Sequence, residues 1–230
     1  MTALSPRLFL AFDDFSRAGK HVLRFTKFNH TEALPMPQNI LETVFPLDLC
    51  QFIQIYQYPD QQVAIITVHT ADLEATELWK LADALVSAMS QANVETLTIL
   101  TALHLPYVKN DDLDVFYRGF NIKMDKDVDI AALSEADPMW EIKDPWLIAF
   151  LHLIKIEQWP CTHLLVAKGY KPGRDLSGMY EAMDKLSRAL QLFTREKMMV
   201  DMQHMHRELP KLLAMEKKMT TDEGLTLLYH

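Results

Sequence analysis

Glycine is scarce in this chain: six of 230 residues, at Gly19, Gly119, Gly169, Gly173, Gly178 and Gly224, well below the usual share of about 7%. No subset of them spells G-x-G-x-x-G or G-x-x-x-x-G-K-[ST], which removes the common phosphate-cradling loops of dinucleotide and P-loop enzymes. Cysteine is scarcer still. Cys50 and Cys161 are the only two, too few for a secreted disulfide scaffold. Cations are outnumbered, 23 Lys and Arg against 31 Asp and Glu, for a net charge of −8. That balance excludes the broad basic face a nucleic-acid binder needs. The longest strongly apolar run, Trp146 to Ile156, already contains His152 and Lys155 and is too short to span a bilayer. No cationic-then-apolar leader opens the sequence as given, and no G-x-S-x-G nucleophile motif occurs. The expectation is a soluble intracellular protein, cytoplasmic and extending to the nucleus, without nucleic acid, membrane, metal or cofactor.

What is present is an ordinary globular composition, 49% hydrophobic and 23% charged, in a chain long enough to bury a core unaided. Leu8 to Phe12 is a short apolar run ending at Asp13-Asp14, and predicts a buried strand. Val22 to Phe28 alternates partly and predicts a second. Thr31 to Pro46, with Pro35, Pro37 and Pro46, predicts an irregular connection. Phe52–Tyr56 and Val63–Val68 flank the turn residues Pro59-Asp60 and predict a hairpin. Leu78, Leu81, Ala82, Leu85 and Met89 recur at three and four, the spacing of a helical stripe, with Thr70 or Asp72 as the expected cap. Leu97–Leu100 follows as another strand, so a right-handed parallel crossover is expected.

Asn110 to Asp129 is charged and predicts irregular chain. Asp144-Pro145 is a cap followed by proline at the first helical position. The helix it opens, Trp146 to Gln158, is apolar nearly all round and predicts burial. His163 to Ala167 then predicts a central strand, and Leu176 to Phe193 a helix. The order implies a three-layer α/β domain with a mixed, largely parallel central sheet over residues 1–194. Residues 195–219 are expected to form a methionine-rich helical segment packed on that core, and 220–230 a flexible tail. Met198, Met202, Met205, Leu209 and Leu212 make the segment's seam, with a break expected at Pro210 and a helix exit at Thr220–Gly224.

Each candidate site has a plainer structural reading beside it. Asp125, Asp127 and Asp129 begin like a calcium loop, but Ile130 and Ala136 stand where the glycine and the bidentate acid are required, so a solvated loop is the reading taken. Cys161 and His163 share one side of a strand. They read as core packing rather than as a nucleophile or half a metal site. His204 and His206 are two apart in a helix and diverge. Lys168, Lys171 and Arg174 surround the Gly169–Gly173 turn at the carboxyl end of a strand, where α/β folds place ligands. This is a candidate secondary contact for a phosphate or acidic partner, against a plain solvated turn. A nucleoside-type enzyme with its ligand near Gly169–Arg174 is the alternative reading of the chain. The methionine seam is either an adaptable binding surface or packing against the chain's own body. The ending Leu228-Tyr229-His230 has the form hydrophobic–tyrosine–any residue, suited to anchoring in a pocket that captures a terminal carboxylate.

Lys218 to Glu223, running on to Leu228-Tyr229-His230, resembles the C-terminus of the chaperones that assemble the α-subunit ring of the 20S proteasome. Thr96-Leu97-Thr98-Ile99-Leu100-Thr101-Ala102-Leu103-His104 resembles a strand-and-exit segment of the same family. The resemblance covers most of the chain in outline and is residue-specific in those two stretches. It implies a non-enzymatic α/β protein that pairs with a second chaperone of related fold, proteasome assembly chaperone 2, and binds 20S α subunits on the outer face of their ring. It further implies that Leu228, Tyr229 and the carboxylate of His230 enter a pocket between neighbouring α subunits.

Overall fold

The strand β1 (Arg7–Phe12) buries every side chain but that of Arg7. Leu8, Leu10 and Phe12 go to one side and Phe9 and Ala11 to the other, so β1 requires cover on both faces. The computed structural model, which describes residues 4–29, 31–71, 73–105, 115–122, 133–136, 140–170 and 176–226, places it at the sheet's centre. On one flank β1 runs parallel to β5 (Val63–Val68), and on the other to β6 (Thr96–Leu103). β6 in turn pairs in parallel with β9 (Cys161–Lys168), Thr96 opposite Cys161. Antiparallel strands flank this core: β4 (Ile53–Tyr58) on β5 and β7 (Val115–Phe120) on β9. The two-residue strands β3 (Leu34–Pro35) and β8 (Ser134–Glu135) complete the order β3-β4-β5-β1-β6-β9-β7-β8. β2 (Thr26–Phe28) and β10 (Met198–Val200) form a separate antiparallel pair.

Helices cover both faces, giving the three layers and mixed, largely parallel sheet expected. α4 (Ala75–Gln91) and α5 (Pro145–Glu157), with α2 (Gln38–Val44) and α3 (Leu47–Cys50), bury their apolar sides on Leu8, Leu10 and Phe12. α1 (Ala18–Arg24), α6 (Ser177–Phe193) and the first turns of α7 (Met202–Thr226) bury theirs on the opposite face. The stripe of α4 is the one its spacing predicts. Its cap is instead a reciprocal pair, Glu74 with Glu77, in which the Glu74 N–H donates to Glu77 Oε2 at 2.9 Å. Asp144 caps α5 as expected, accepting from the Leu147 N–H at 2.8 Å. Trp146 then stacks on Phe150 one turn later, with ring centroids 4.9 Å apart.

Several local expectations are corrected. Val22 to Arg24 are helical, and only Thr26–Phe28 are strand. Ala18, Val22 and Leu23 sit on one helix side, and the apparent alternation was too short to distinguish the two periods. Thr31 to Pro46 is not irregular throughout: it contains β3 and α2, the latter starting directly after Pro37. Val115–Phe120, inside the stretch read as irregular, is β7 and buries Val115, Phe116 and Tyr117. Met198 lies in β10 rather than on the helical seam, which Asp201 divides by capping α7 through its bond from the His204 N–H, 2.9 Å. α7 runs on through Pro210 to Thr226, without the break expected at Pro210 or the exit at Thr220–Gly224.

Candidate functional site

The carboxyl ends of β1, β6 and β9 meet at one place, where an α/β fold commonly receives its ligand. Here the chain bonds to itself. The Gly169 N–H donates to Leu103 O at 2.6 Å, and the Tyr170 N–H donates to Ser16 Oγ at 2.7 Å. The Ser16 hydroxyl donates back to Tyr170 O at 2.9 Å. A Cβ on Gly169 would stand 3.0 Å from both the Ala102 backbone and Ser16 Oγ, so this close approach selects glycine. Lys168, the described member of the predicted cationic turn, has Nζ 5.9 Å from the centre of the Tyr170 ring. The Tyr170 hydroxyl donates to Glu181 Oε1 at 2.9 Å, and Lys185 pairs with the same oxygen at 2.8 Å. Lys171, Gly173 and Arg174 lie outside the described residues. Two cavities are formed elsewhere: one of about 780 Å³ between β2 and α7, bordered by Phe25, Lys27 and His204, and one of about 230 Å³ bordered by Phe120, Trp140 and Val166. Neither includes Lys168.

Two consecutive carboxylates at the end of β1 organise this junction. Asp14 is fully buried and accepts from four backbone N–H groups. Its Oδ1 takes Ser16 at 2.9 Å and Ala18 at 3.2 Å, and its Oδ2 takes Gly19 at 3.2 Å and Ala102 at 2.9 Å. Burial pushes its carboxyl up to about 7, against the pull of those four donors. Asp13 goes the other way. Burial raises it too, but the hydrogen bond from His69 and the charge on Lys20 outweigh that and hold it well below the usual carboxylate range. His69 Nδ1 and Lys20 Nζ, the latter at 3.0 Å, both contact its oxygens. The backbone N–H groups of Thr70 and Ala71 add donors at 3.1 and 3.4 Å. Carboxylate and imidazole form an orienting pair, yet no described hydroxyl or thiol bonds to His69, so no nucleophile completes it. The sequence reading used Asp13-Asp14 only to end a strand. Adjacent acids at a strand's carboxyl end, five residues before a lone Gly19, were the available signal.

The other candidates fall where packing explains them. Cys161 Sγ lies 3.6 Å from His163 Nε2, and Tyr117 Oη 3.1 Å from His163 Nδ1, all buried. Burial pushes the Tyr117 hydroxyl up to about 12. This line of polar groups is sealed by Phe193, whose ring centre is 5.1 Å from that of His163. His204 and His206 do diverge: His204 meets Phe25 edge-on, and His206 stacks on Tyr180 with centroids 4.8 Å apart. Met205 and Leu209, fully buried, fix α7 to the body. Asp125, Asp127 and Asp129 lie outside the described residues, as do Leu228, Tyr229 and His230. Among the described residues no three His, Cys, Asp or Glu could hold a metal ion, and no helix is long and apolar enough to cross a membrane.

These features define a class: a three-layer α/β/α domain whose parallel strand ends are tied by its own backbone, with a long final helix docked on one face. Solved structures of similar fold include a Pyrococcus furiosus protein, PbaA, described as an archaeal homologue of proteasome-assembly chaperone. Its TM-score is 0.56 at 12% identity, over 97% of this chain and 91% of that one. Pyrococcus furiosus PbaB, described as an archaeal proteasome activator, aligns with a TM-score of 0.53 at 9% identity over 94% of each chain. A Thermoplasma acidophilum protein of unknown function aligns at 0.54 with 10% identity, over 96% of this chain and 90% of that one. No protein-family model and no curated protein matches the sequence. At these identities the likeness establishes the fold alone, one shared with a protein described as an archaeal homologue of proteasome-assembly chaperone.

Proposed function

We propose that this chain is a non-enzymatic chaperone of 20S proteasome α-ring assembly, acting by binding alone. The observation that carries the proposal is the alignment of nearly the whole chain, 97%, with an archaeal proteasome-assembly chaperone homologue. The sequence resemblance points independently to the same group of proteins. In this reading the chain works in the cytoplasm and nucleus as a heterodimer with a related chaperone, proteasome assembly chaperone 2. Leu228, Tyr229 and the carboxylate of His230 dock between neighbouring α subunits, and Lys168, Lys171 and Arg174 supply a secondary contact. α7, with 25 residues, spans about 38 Å, and is fixed to the body near its start by the buried Met205 and Leu209. The final helix therefore serves as the stalk of the binding tail. The alternative, a nucleoside-type enzyme with its ligand near Gly169–Arg174, is less favoured because the described start of that turn, Gly169 and Tyr170, commits its N–H groups to Leu103 and Ser16.

Deleting Leu228–His230, or substituting Tyr229→Ala, is expected to abolish capture of α subunits in a pull-down while leaving the thermal unfolding midpoint unchanged. Undiminished capture by the truncated chain refutes the docking role. Mass spectrometry of co-purifying chains tests the pairing, and a lone chain without an α/β companion counts against it.

A further inference from the structure

The cavity of about 780 Å³ opens between the end of α1, β2 and the first half of α7, and its size is that of a small-molecule site. Its floor is apolar: Leu23, Phe25 and Ile65 are buried, and Ala33, Tyr56 and Leu212 are half-buried around them. Its walls are charged, with the cations Arg24, Lys27 and Arg207 and the acids Glu32, Asp201 and Glu208. Each of these acids is already matched. Lys27 Nζ lies 3.3 Å from Glu32 Oε1 and 3.8 Å from Asp201 Oδ2, and Asp201 also accepts from the His204 backbone N–H. Glu208 Oε1 takes Arg207 Nε at 3.4 Å and Lys211 Nζ at 3.0 Å. The donors are not all matched. The guanidinium of Arg24, exposed as the last residue of α1, has neither an ion pair nor a hydrogen bond among the described residues. His204 Nδ1 lies 3.2 Å from Arg207 Nη2. A guanidinium can only donate, so Nδ1 accepts and the neutral ring keeps its proton on Nε2. That N–H has no partner among the described residues either. Phe25 joins the two donors: it follows Arg24 in the chain and meets the His204 ring edge-on, with centroids 5.5 Å apart.

We infer that this cavity binds a small aryl carboxylate, its ring on Phe25 and Tyr56 and its carboxylate on Arg24 and the His204 Nε2–H. Charge selects the head group. The ion-pair network around the cavity has the cations Lys27, Arg207 and Lys211 against the acids Glu32, Asp201 and Glu208, which balance, and Arg24 is the one charge of the lining left over. A single negative charge therefore completes the site. A guanidinium presents its N–H groups in the fork that a carboxylate accepts. A phosphate monoester would bring up to about one charge too many, and an ammonium would meet only acids that already have their cations. The floor selects the body: a flat ring covers Phe25 and Tyr56 in the offset or edge-on arrangements that aromatic pairs prefer. This inference does not rest on a role at the proteasome, because none of these residues belongs to the tail or the turn assigned to that role.

NMR titration of the isotope-labelled full chain with naphthoate, from about 0.02 to 5 mM, brackets the affinity of a ligand of this size. Saturable shifts are expected at the backbone amides of Arg24, Phe25, His204 and Arg207. Arg24→Gln, at an exposed position, should raise Kd about tenfold, the effect of losing a hydrogen bond to a charged group. His204→Phe keeps a ring against Phe25 but removes the N–H, and should raise Kd about threefold. Naphthylmethylammonium, the same ring system with the charge reversed, should bind at least about tenfold more weakly than naphthoate. Lys80→Gln removes an exposed cation from α4, on the opposite face of the sheet, and should leave Kd unchanged. Absent or non-saturating shifts overturn the inference. So does naphthoate binding that Arg24→Gln leaves intact, or equal binding of the ammonium. Shifts centred instead on Phe120, Trp140 and Val166, which border the other cavity, overturn it as well.

Discussion

Adding one methyl group at Gly19 sets two physical rules against each other. Glycine inside a helix costs about 1 kcal/mol relative to alanine, and alanine also restricts the unfolded chain. Propensity alone therefore predicts that Gly19→Ala stabilises the protein by that amount. The structure predicts the opposite. A Cβ at position 19 would stand 2.2 Å from Leu100 O and 2.9 Å from Leu100 C, both backbone atoms of the central strand β6. Neither can swing aside as a side-chain tip would. Restoring an ordinary contact of about 3.4 Å moves α1 outward by more than 1 Å, and that motion pulls the N–H groups of Ala18 and Gly19 away from the buried Asp14 carboxylate. Overpacking costs about 1–3 kcal/mol, and each weakened buried hydrogen bond adds about 1 kcal/mol or more. After subtracting the propensity gain, the net loss is about 2–4 kcal/mol. Urea unfolding followed by circular dichroism, with a slope of about 2–3 kcal/mol/M, should show the midpoint lowered by about 1 M. A midpoint that is unchanged or higher refutes the claim that α1 is seated on the β6 backbone.

Two pH-dependent outcomes follow from buried groups. Among the described residues, neither buried ring nitrogen of His21 has a hydrogen-bond partner. Burial, aided by the nearby Lys20 and Arg24 charges, lowers its pKa from 6.5 to about 4. Below pH 6.5 the unfolded chain takes up the proton first, so the stability tied to a neutral His21 is complete above 6.5 and lost as pH falls toward 4. His21→Leu should be within about 1 kcal/mol of the wild type at pH 8 and should gain on it steadily between pH 6.5 and 4, measured as the difference in urea midpoints. Asp14 tilts the opposite way over that range in both chains and cancels in the difference. Asp13, held below its ordinary 3.8, stabilises the fold above that value, and its contribution disappears as pH falls below it. Asp13→Asn should flatten this acid limb while lowering stability at pH 7, and equal acid limbs in the two chains would count against the His69–Lys20 cluster.

The layers of this fold are legible in its sequence because they follow periodicity. Val63–Val68 is buried at every position and apolar at all but Thr67, and Leu78 to Met89 keeps one helical stripe. The elements that escaped are held by contacts no local pattern records. α1 is a helix because the buried Asp14 carboxylate takes its first N–H groups and its Gly19 lets it seat against the β6 backbone at Leu100. β7 is a strand because β9 offers it a partner. Met198 leaves the helical seam because β2 claims it for a second, smaller sheet. The junction of Asp14, Ser16 and Tyr170 was hidden for the same reason, since Ser16 and Tyr170 lie 154 residues apart. α5 shows the reverse case. Its all-round apolarity predicted burial, and the single chain buries only part of it.

That long-range stitching also sets a timetable for biosynthesis. β1, apolar on both faces, leaves the ribosome before its neighbours, which begin at Val63 and Thr96, and Ser16 waits 154 residues for Tyr170. At about 5–20 residues per second, that interval lasts about 8–30 s. Until β6 has followed, about 4–20 s at that rate, the innermost strand of the finished domain lacks one or both of its neighbours. A protein that we read as attending the assembly of others thus begins its own life as a client in need of attendance.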